Sequence, residues 1–251
     1  MFEKNERMYT LGIIPARYGS SRFPGKPLID LKGKSMIRRV YEGAEKCTLF
    51  NEVVVATDDQ RIYDHVTSFG GKVMMTADVH QSGTDRCGEV LGHFPQADLV
   101  VNIQGDEPLV DARQLELLIR AFDDNSVQIA TLGNPNLTHE DLNNPNRIKL
   151  VKNKADNALY FSRSAIPFGA KVPQEEWLSK FPYLRHIGLY AYRSQTLKEL
   201  IQLAPADLEL WESLEQLRWL YNGYAIRVVE TEIETPNIDS PEDVETVLRM
   251  L

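Results

Sequence analysis

Short apolar runs alternate with helical patterns along the first half of the chain, and this alternation most constrains its fold. Residues 11–14, 52–57 and 99–103 are apolar runs that predict buried strands. Residues 35–47 and 60–69 carry apolar side chains at helical spacing. Strands that alternate with helices form parallel sheets through right-handed crossovers. The sequence therefore predicts an α/β fold with a mostly parallel sheet.

The middle and last parts of the chain are less regular. Residues 148–152, 158–163 and 186–192 predict antiparallel strands. Residues 208–221 predict one amphipathic helix, whose expected inward side chains are Leu210, Trp211, Leu214, Leu217 and Leu220. No composition break marks a linker. We therefore expect one domain over residues 1–251, with an N-terminal extension at about 1–8 and an antiparallel subdomain at about 133–195.

Composition excludes several classes of protein. The 251 residues carry 36 acidic and 28 basic side chains, and the net charge of −8 argues against nucleic-acid binding. The two cysteines show no metal spacing, so we expect free thiols, although one disulfide is possible. The charged N-terminus is not a signal peptide, and no run reaches the ~18 apolar residues of a membrane span. We expect a cytoplasmic protein with no membrane partner.

A basic loop follows the first predicted strand. Residues 14–28 contain Arg17, Arg22 and Lys26 among glycines and prolines. Such residues turn the backbone and expose N–H groups, which together with the cations can bind an anion. The simpler alternative is a basic surface loop. We favour a phosphate-binding loop, because its cations stand out in an acidic protein.

An acidic turn at residues 104–108 follows another predicted buried strand. Ligands of open parallel sheets bind beyond the carboxyl ends of the strands. Asp106 could hold Mg²⁺, which prefers carboxylates together with substrate phosphates, or it could only cap a helix. Asp239 is a candidate second carboxylate and equally a candidate N-cap of the last helix. We expect Asp58 and Asp59 to cap the helix that follows them.

Several familiar site patterns are absent from the sequence. It has neither a Walker loop nor a Gly-x-Gly-x-x-Gly fingerprint. The five histidines show no zinc spacing, and no Ser-His-Asp or Cys-His arrangement stands out. His186 lies on an apolar predicted strand, where a core histidine is the ordinary interpretation. The residues alone therefore favour metal-assisted phosphate chemistry.

Seven segments, taken together, resemble the sugar-activating cytidylyltransferases. More narrowly they resemble the 3-deoxy-manno-octulosonate (KDO) cytidylyltransferase family. The segments occur in family order over about residues 9–250, and they are residues 14–28, 80–86, 102–108, 158–163, 185–190, 214–218 and 238–243. The resemblance implies a Rossmann-like fold of the nucleotide-diphospho-sugar transferase type, with helices on both faces of the sheet. It also implies a homodimer, formed through the antiparallel region.

The resemblance further implies a reaction in which CTP and KDO give CMP-KDO and diphosphate, for lipopolysaccharide biosynthesis. Arg17, Lys26, Asp106 and Asp239 would be catalytic, and the two aspartates would bind Mg²⁺. The implied nucleotide-binding residues are Pro15, Ala16, Arg17, Arg22, Lys26, Gln81, Ser82, Gly83 and Thr84. The implied sugar-binding residues are Gln104, Arg163, His186, Tyr190, Glu215 and Gln216. For Glu215 and Gln216 a solvated helix flank is the alternative.

Three rival functions remain open from the sequence. A relative acting on a sialic or pseudaminic acid would share the start of the basic loop, but the ending at residues 21–28 favours KDO. An enzyme for an 8-amino variant of KDO is the second rival, because that sugar acid differs from KDO by one substituent only. A non-catalytic nucleotide-binding regulator would not need the second metal-binding carboxylate.

Overall fold

The computed structural model describes residues 8–19 and 23–251. The chain divides into two compact units. The first comprises the residues up to Glu116 together with Ala191–Ile201 and Thr235–Leu251, and the second comprises Leu117–Tyr190 and Gln202–Glu234. That the chain works as one domain stays a prediction.

The first unit contains a parallel sheet with helices. Its strands pair in the order β5-β4-β1-β6, and all three pairings are parallel. The strands are β1 (Thr10–Ala16), β4 (Glu52–Thr57), β5 (Val73–Met75) and β6 (Leu99–Asn102), and β2 (Asp30–Leu31) with β3 (Lys34–Ser35) forms a small antiparallel pair. The helices are α1 (Met36–Ala44), α2 (Gln60–Ser68), α3 (Gly83–Leu91), α7 (Ser194–Leu200) and α10 (Asp243–Met250). Helix α4 (Ala112–Arg120) crosses the unit boundary.

The second unit combines a parallel pair with antiparallel strands. Its strands are β7 (Ile129–Asn134), β8 (Lys149–Lys152), β9 (Ala158–Ser162), β11 (Ile226–Glu230) and most of β10 (Leu184–Arg193), whose residues from Ala191 onwards belong to the first unit. Strand β7 lies between β11 and β10, parallel to β11, while β8 pairs antiparallel with both β9 and β10. The helices are α5 (His139–Asn143), α6 (Trp177–Lys180), α8 (Asp207–Glu212) and α9 (Gln216–Tyr221). The predicted α/β fold with antiparallel strands in the middle of the chain is confirmed.

Strand β1 is the centre of the first sheet, and its sequence explains why. Leu11, Ile13 and Ile14 are fully buried, as expected for a strand covered on both faces. Ile13 lies opposite Asn102 on the parallel strand β6. The chain therefore leaves β1 and β6 at the same edge of the sheet, which places the basic loop beside the acidic turn.

The predicted helix over residues 208–221 is wrong, because two helices occupy this range. Ser213 ends α8 in a left-handed conformation with φ of 51°, and α9 begins three residues later. The break changes the direction of the helical face. Leu210 and Trp211, predicted to point inward, are 65% and 90% exposed, whereas Leu214 and Leu217 are buried as predicted.

Two smaller expectations concern the thiols and the membrane. Cys47 and Cys87 are buried free thiols, as predicted. No helix in the described part of the chain is long and apolar enough to cross a bilayer.

Ser35 caps α1, which gives a prediction for stability. Its hydroxyl accepts a hydrogen bond from the Arg38 N–H and contacts the ring of His65 at 2.6 Å. Ser35→Ala should lower the free energy of unfolding by about 1 kcal/mol, as for other lost N-caps. Thermal unfolding should show a midpoint lower by about 2–4 °C. Ser68→Ala, at the exposed end of α2, is the control; equal effects of the two changes would contradict the capping role.

Candidate functional site

A cleft of about 250 Å³ opens in the first unit beyond the carboxyl ends of β1 and β6. It is lined by residues from the basic loop, the acidic turn, the start of α3 and the segment before α10. Ten residues singled out from the sequence line it, namely Pro15, Ala16, Arg17, Lys26, Gln81, Ser82, Gly83, Gln104, Asp106 and Asp239. Residues far apart in sequence thus meet in one place.

Lys26 is the most connected cation of this cleft. Its ammonium donates to Asp106 Oδ2 at 2.9 Å and to the Ile238 carbonyl at 2.7 Å, and it lies 4.0 Å from Asp239 Oδ1. The Ile238 N–H in turn donates to the Asp106 carbonyl at 2.9 Å. The loop after β1, the turn after β6 and the segment before α10 are therefore held together by one ammonium group and one backbone bond.

Local backbone structure places Lys26 at this position. Gly25 has a left-handed φ of 73°, and its N–H donates to the Tyr18 carbonyl. A short 3-10 helix, Lys26–Leu28, follows with Pro27 in its first turn. Glycine and proline thus fix the direction in which the loop presents its lysine.

The helix-capping alternative for Asp239 is wrong. Asp243 Oδ2 accepts hydrogen bonds from the backbone N–H groups of Asp239 and Ser240, as well as from the Ser240 hydroxyl. The Asp239 carboxylate instead faces Lys26, and its second oxygen accepts from the Asn237 side chain at 2.7 Å. The Asp106 carboxylate likewise binds Lys26 instead of capping a helix.

Asp106 and Asp239 together fit a divalent cation. Their carboxylate oxygens converge on a single positive charge and lie in an open cleft, 28% and 41% exposed at the side chain. Within residues 8–19 and 23–251, no group of three or more His, Cys, Asp or Glu side chains could hold a metal. Mg²⁺ is commonly held by one or two carboxylates plus substrate phosphates, and Asp106 and Asp239 fit the protein's share of that donor set.

Arg17 supplies a second cation to the cleft. Its exposed guanidinium has no hydrogen-bond or ion-pair partner among the residues that the structure describes, so it can bind an anionic ligand. The next residue, Tyr18, is covered by Arg61, whose guanidinium carbon lies 3.3 Å from the centroid of the tyrosine ring. Arg61 also forms an ion pair with Asp59. Arg22, the third predicted cation, lies outside the described residues.

The start of α3 forms another wall of the cleft. The Ser82 hydroxyl accepts from the Asp85 N–H, while the Asp85 carboxylate accepts from the Ser82 N–H, so Ser82 is mainly a cap. Gly83 lies against Pro15. Thr84 is only 2% exposed and is not among the residues that line the cleft, so its contact with the nucleotide stays a prediction.

Arg86 and His80 also line the cleft, although sequence reasoning gave them no role. The buried Arg86 guanidinium pairs with Asp58 at 2.7 Å and contacts the Thr76 hydroxyl. Asp59 caps α2, as predicted. The same prediction is wrong for Asp58, which pairs with Arg86. The His80 ring contacts the Glu89 carboxylate. The sequence signal that could have identified Arg86 was its position about one turn after the predicted start of this helix.

Five sugar-binding candidates belong to the second unit, and Arg163 is the cation among them. Its side chain donates to the carbonyls of Glu212, Pro145 and Ser213. The Glu212 carboxylate accepts from the Arg163 N–H and the Ser162 hydroxyl. Three of the five guanidinium N–H donors are therefore engaged, which leaves two for a ligand.

His186 and Tyr190 are linked through aromatic packing to Trp219 of α9, the helix that also carries Gln216. The ring centroids of His186 and Tyr190 are 5.3 Å apart, and Tyr190 meets Trp219 edge-on at 5.0 Å. Gln216 is buried on the same face of α9 as Trp219, and Glu215 precedes it at the N-cap. Burial lowers the pKa of His186 to about 3 and raises that of Tyr190 well above its ordinary value. Both side chains are therefore neutral near pH 7.

Cations and paired carboxylates beyond the ends of parallel strands define a nucleotidyltransferase type of site. Three comparisons with known proteins agree with it. A family model described as cytidylyltransferase matches residues 11–232. The chain is 52% identical to a 3-deoxy-manno-octulosonate cytidylyltransferase of Parabacteroides distasonis, over 97% of this chain and 98% of that protein. The protein of the same name from Bacteroides thetaiotaomicron is also 52% identical, over 94% and 96%.

Solved structures give the same result. A CMP:2-keto-3-deoxy-manno-octonic acid synthetase complexed with CTP has a TM-score of 0.90 and 43% identity, covering 96% of this chain and 98% of that one. A cytidylyltransferase from Leptospira borgpetersenii, at 16% identity and a TM-score of 0.63, shares the fold, covering 96% and 85%. The chain belongs to the cytidylyltransferase family.

Gly105 provides a prediction about the acidic turn. A Cβ at this position would lie 2.6 Å from the Pro15 carbonyl oxygen, so only glycine lets the turn approach the basic loop this closely. Gly105→Ala should lower the free energy of unfolding by about 1–3 kcal/mol, as other overpacking changes do. Gly83→Ala is the control, because its Cβ would meet Pro15 at an ordinary 3.4 Å. Equal thermal unfolding midpoints of the two variants would contradict the argument.

Proposed function

We propose that this protein transfers the cytidylyl group of CTP to KDO, giving CMP-KDO and diphosphate. The observation that carries the proposal is the joint contact of Lys26 with Asp106 and Asp239 in a cleft that Arg17 also lines. This arrangement places cations and metal-binding carboxylates where a nucleoside triphosphate needs both. The names shared by relatives about 50% identical support cytosine as the base and KDO as the sugar acid.

The chemistry is an in-line displacement at the α-phosphorus. A hydroxyl oxygen of KDO forms the new P–O bond, the bond to the diphosphate breaks, and the hydroxyl proton is lost. Arg17 and Lys26 stabilise the negative charge on the triphosphate and the leaving diphosphate. Mg²⁺ held by Asp106 and Asp239 would lower the pKa of the attacking hydroxyl and neutralise phosphate charge.

The contacts of Lys26 suggest an exchange of partners when substrates bind. Its ammonium balances the carboxylates of Asp106 and Asp239. A divalent cation held by these carboxylates would supply that balance itself. The ammonium would then be free to bind the triphosphate.

The sugar acid requires a cation for its carboxylate and hydrogen-bonding groups for its hydroxyls. Arg163 keeps two N–H donors for the carboxylate of KDO. His186, Tyr190, Glu215 and Gln216 of the same unit offer hydrogen-bonding groups for its hydroxyls. We therefore assign the carboxylate to Arg163 and the hydroxyls to these four residues.

Release of diphosphate tests the function directly. The full chain is incubated with CTP, with or without Mg²⁺, and with KDO, 8-amino-KDO, a sialic acid or a pseudaminic acid. We expect release with KDO only when Mg²⁺ is present. Release with a sialic acid but not with KDO would overturn the choice of sugar. CTP binding without release from any sugar acid would indicate a regulator.

Asp106→Asn tests the metal-binding role. Loss of one carboxylate charge from a two-carboxylate site should lower kcat by about 100-fold or more, in the range of other lost electrostatic groups. The fold should persist, because the amide retains the shape of the side chain. Asp64→Asn, an exposed change on α2, is the matched control. A kcat of Asp106→Asn within twofold of the control would exclude Asp106 from the mechanism.

We further propose that the protein is a homodimer that acts in the cytoplasm, where CTP is formed, and supplies lipopolysaccharide synthesis. The dimer would use the antiparallel strands of the second unit. Leu159 on β9 is 60% exposed. Leu210 and Trp211 of α8 are 65% and 90% exposed. The hydrogen bond between Ser162 and Glu212 places the end of α8 next to β9. Exposed apolar groups of this kind are typical of subunit interfaces.

Trp211→Ala tests the dimer. Buried tryptophans are frequent interface hot spots, so this change should weaken dimerisation by about tenfold or more. Sedimentation over a range of protein concentrations measures the dissociation constant. Met250→Ala, which removes another exposed apolar side chain from α10, should leave it unchanged. A monomeric wild-type protein, or equal dissociation constants, would contradict the proposal.

A further inference from the structure

A fully buried threonine on β7 contacts the candidate sugar-binding histidine. Thr131 Oγ1 lies 3.0 Å from Nε2 of His186. The same oxygen lies 2.8 Å from the Leu189 carbonyl and 3.2 Å from the Ile187 carbonyl. All these atoms belong to the second unit. Three polar atoms thus lie within hydrogen-bonding distance of the hydroxyl, and two of them, the carbonyl oxygens, can only accept. The Tyr190 hydroxyl also lies near Thr131.

Counting protons fixes the direction of each hydrogen bond. Two oxygens 2.8 Å apart need a hydrogen between them, and a carbonyl has none to give. The single hydroxyl proton of Thr131 therefore points to the Leu189 carbonyl. Only lone pairs of Oγ1 remain for His186, so Nε2 of the ring must carry the hydrogen and donate it to Thr131.

The surroundings of His186 keep the ring neutral. The Phe161 ring of β9 packs edge-on at 5.0 Å, and the uncharged Tyr190 lies at 5.3 Å on β10. Burial lowers the pKa of His186. The positive charge of Arg185, the preceding residue on β10, lowers it further. Glu215 of α9 raises the pKa of Tyr190. A neutral ring with hydrogen on Nε2 carries a lone pair on Nδ1.

We propose that Thr131 is a positioning residue that holds His186 in the Nε2–H tautomer, so that Nδ1 accepts a hydrogen bond from a hydroxyl of the sugar acid. The inference rests on the proposed function for the identity of that ligand. It assigns His186 to a hydroxyl and leaves the carboxylate to Arg163. Among the residues that the structure describes, no hydrogen bond to Nδ1 is present, so this acceptor is open to a ligand.

Nitrogen NMR tests the tautomer without substrate. The full chain carries ¹⁵N in its histidines, and long-range ¹H–¹⁵N spectra between pH 6 and 8 distinguish the two tautomers from the imidazolium. His186→Gln identifies the signals by their loss. We expect the Nε2–H tautomer throughout this range. An imidazolium, or hydrogen on Nδ1, would overturn the proposal.

Thr131→Val and Thr131→Ser separate the hydroxyl from the packing. Valine keeps the shape but removes the acceptor, so His186 should lose its single tautomer, whereas serine should retain it. We expect Thr131→Val to raise KM for KDO about tenfold, in line with a lost hydrogen bond to ligand, with KM for CTP changed less than twofold. Thr131→Ser should restore KM for KDO to within about threefold of wild type.

The outcomes distinguish this inference from the proposed function. A lower unfolding midpoint of Thr131→Val with an unchanged KM for KDO and an unchanged tautomer would show a purely structural threonine and overturn the inference. If the wild-type chain releases no diphosphate with KDO, the proposed function fails. The NMR result still decides the tautomer in that case.

Discussion

The contact of the Lys26 ammonium with two carboxylates is the interaction on which the candidate nucleotide site depends. This one cation binds the Asp106 carboxylate and the Ile238 carbonyl, and it lies 4.0 Å from Asp239 Oδ1. Without it, the negative charges of the two carboxylates would repel each other in the cleft. The ion pairs therefore hold together, within the first unit, the two carboxylates that we propose bind Mg²⁺.

Backbone constraints give this arrangement its precision. Gly25 turns the basic loop, and Gly105 lets the acidic turn pass against the Pro15 carbonyl. The Asp106 carbonyl accepts from the Ile238 N–H, which fixes the segment before α10 relative to β6. Loops that begin directly after buried strands start from fixed positions, because the strands are rigid. The geometry of the cleft therefore depends on the fully buried residues of β1. The apolar sequence of these residues is also what predicts the strand.

The sequence predicted those parts of the structure that depend on local patterns. Strand β1 and a loop that carries Lys26 among glycines and prolines follow from neighbouring residues. Capping by Asp239 could not be decided, because the competing acceptor, Asp243, lies only four residues further on. Leu210 and Trp211 were assigned to the wrong face, because the left-handed Ser213 interrupts an otherwise helical pattern. Arg86 was missed since its partner, Asp58, is 28 residues away and meets it only in the folded chain.

Charge is distributed unequally between the two groups of candidate residues, and this bears on specificity. The cleft of the first unit presents Arg17 and Lys26, whose charges suit any triphosphate and discriminate little between them. The second unit presents Arg163 with a neutral His186 and a neutral Tyr190. Buried neutral groups that need hydrogen-bond partners reject ligands lacking them more strongly than apolar pockets do. A histidine held in one tautomer can therefore select a hydroxyl at a defined place, which a mobile imidazolium attracted to any carboxylate could not.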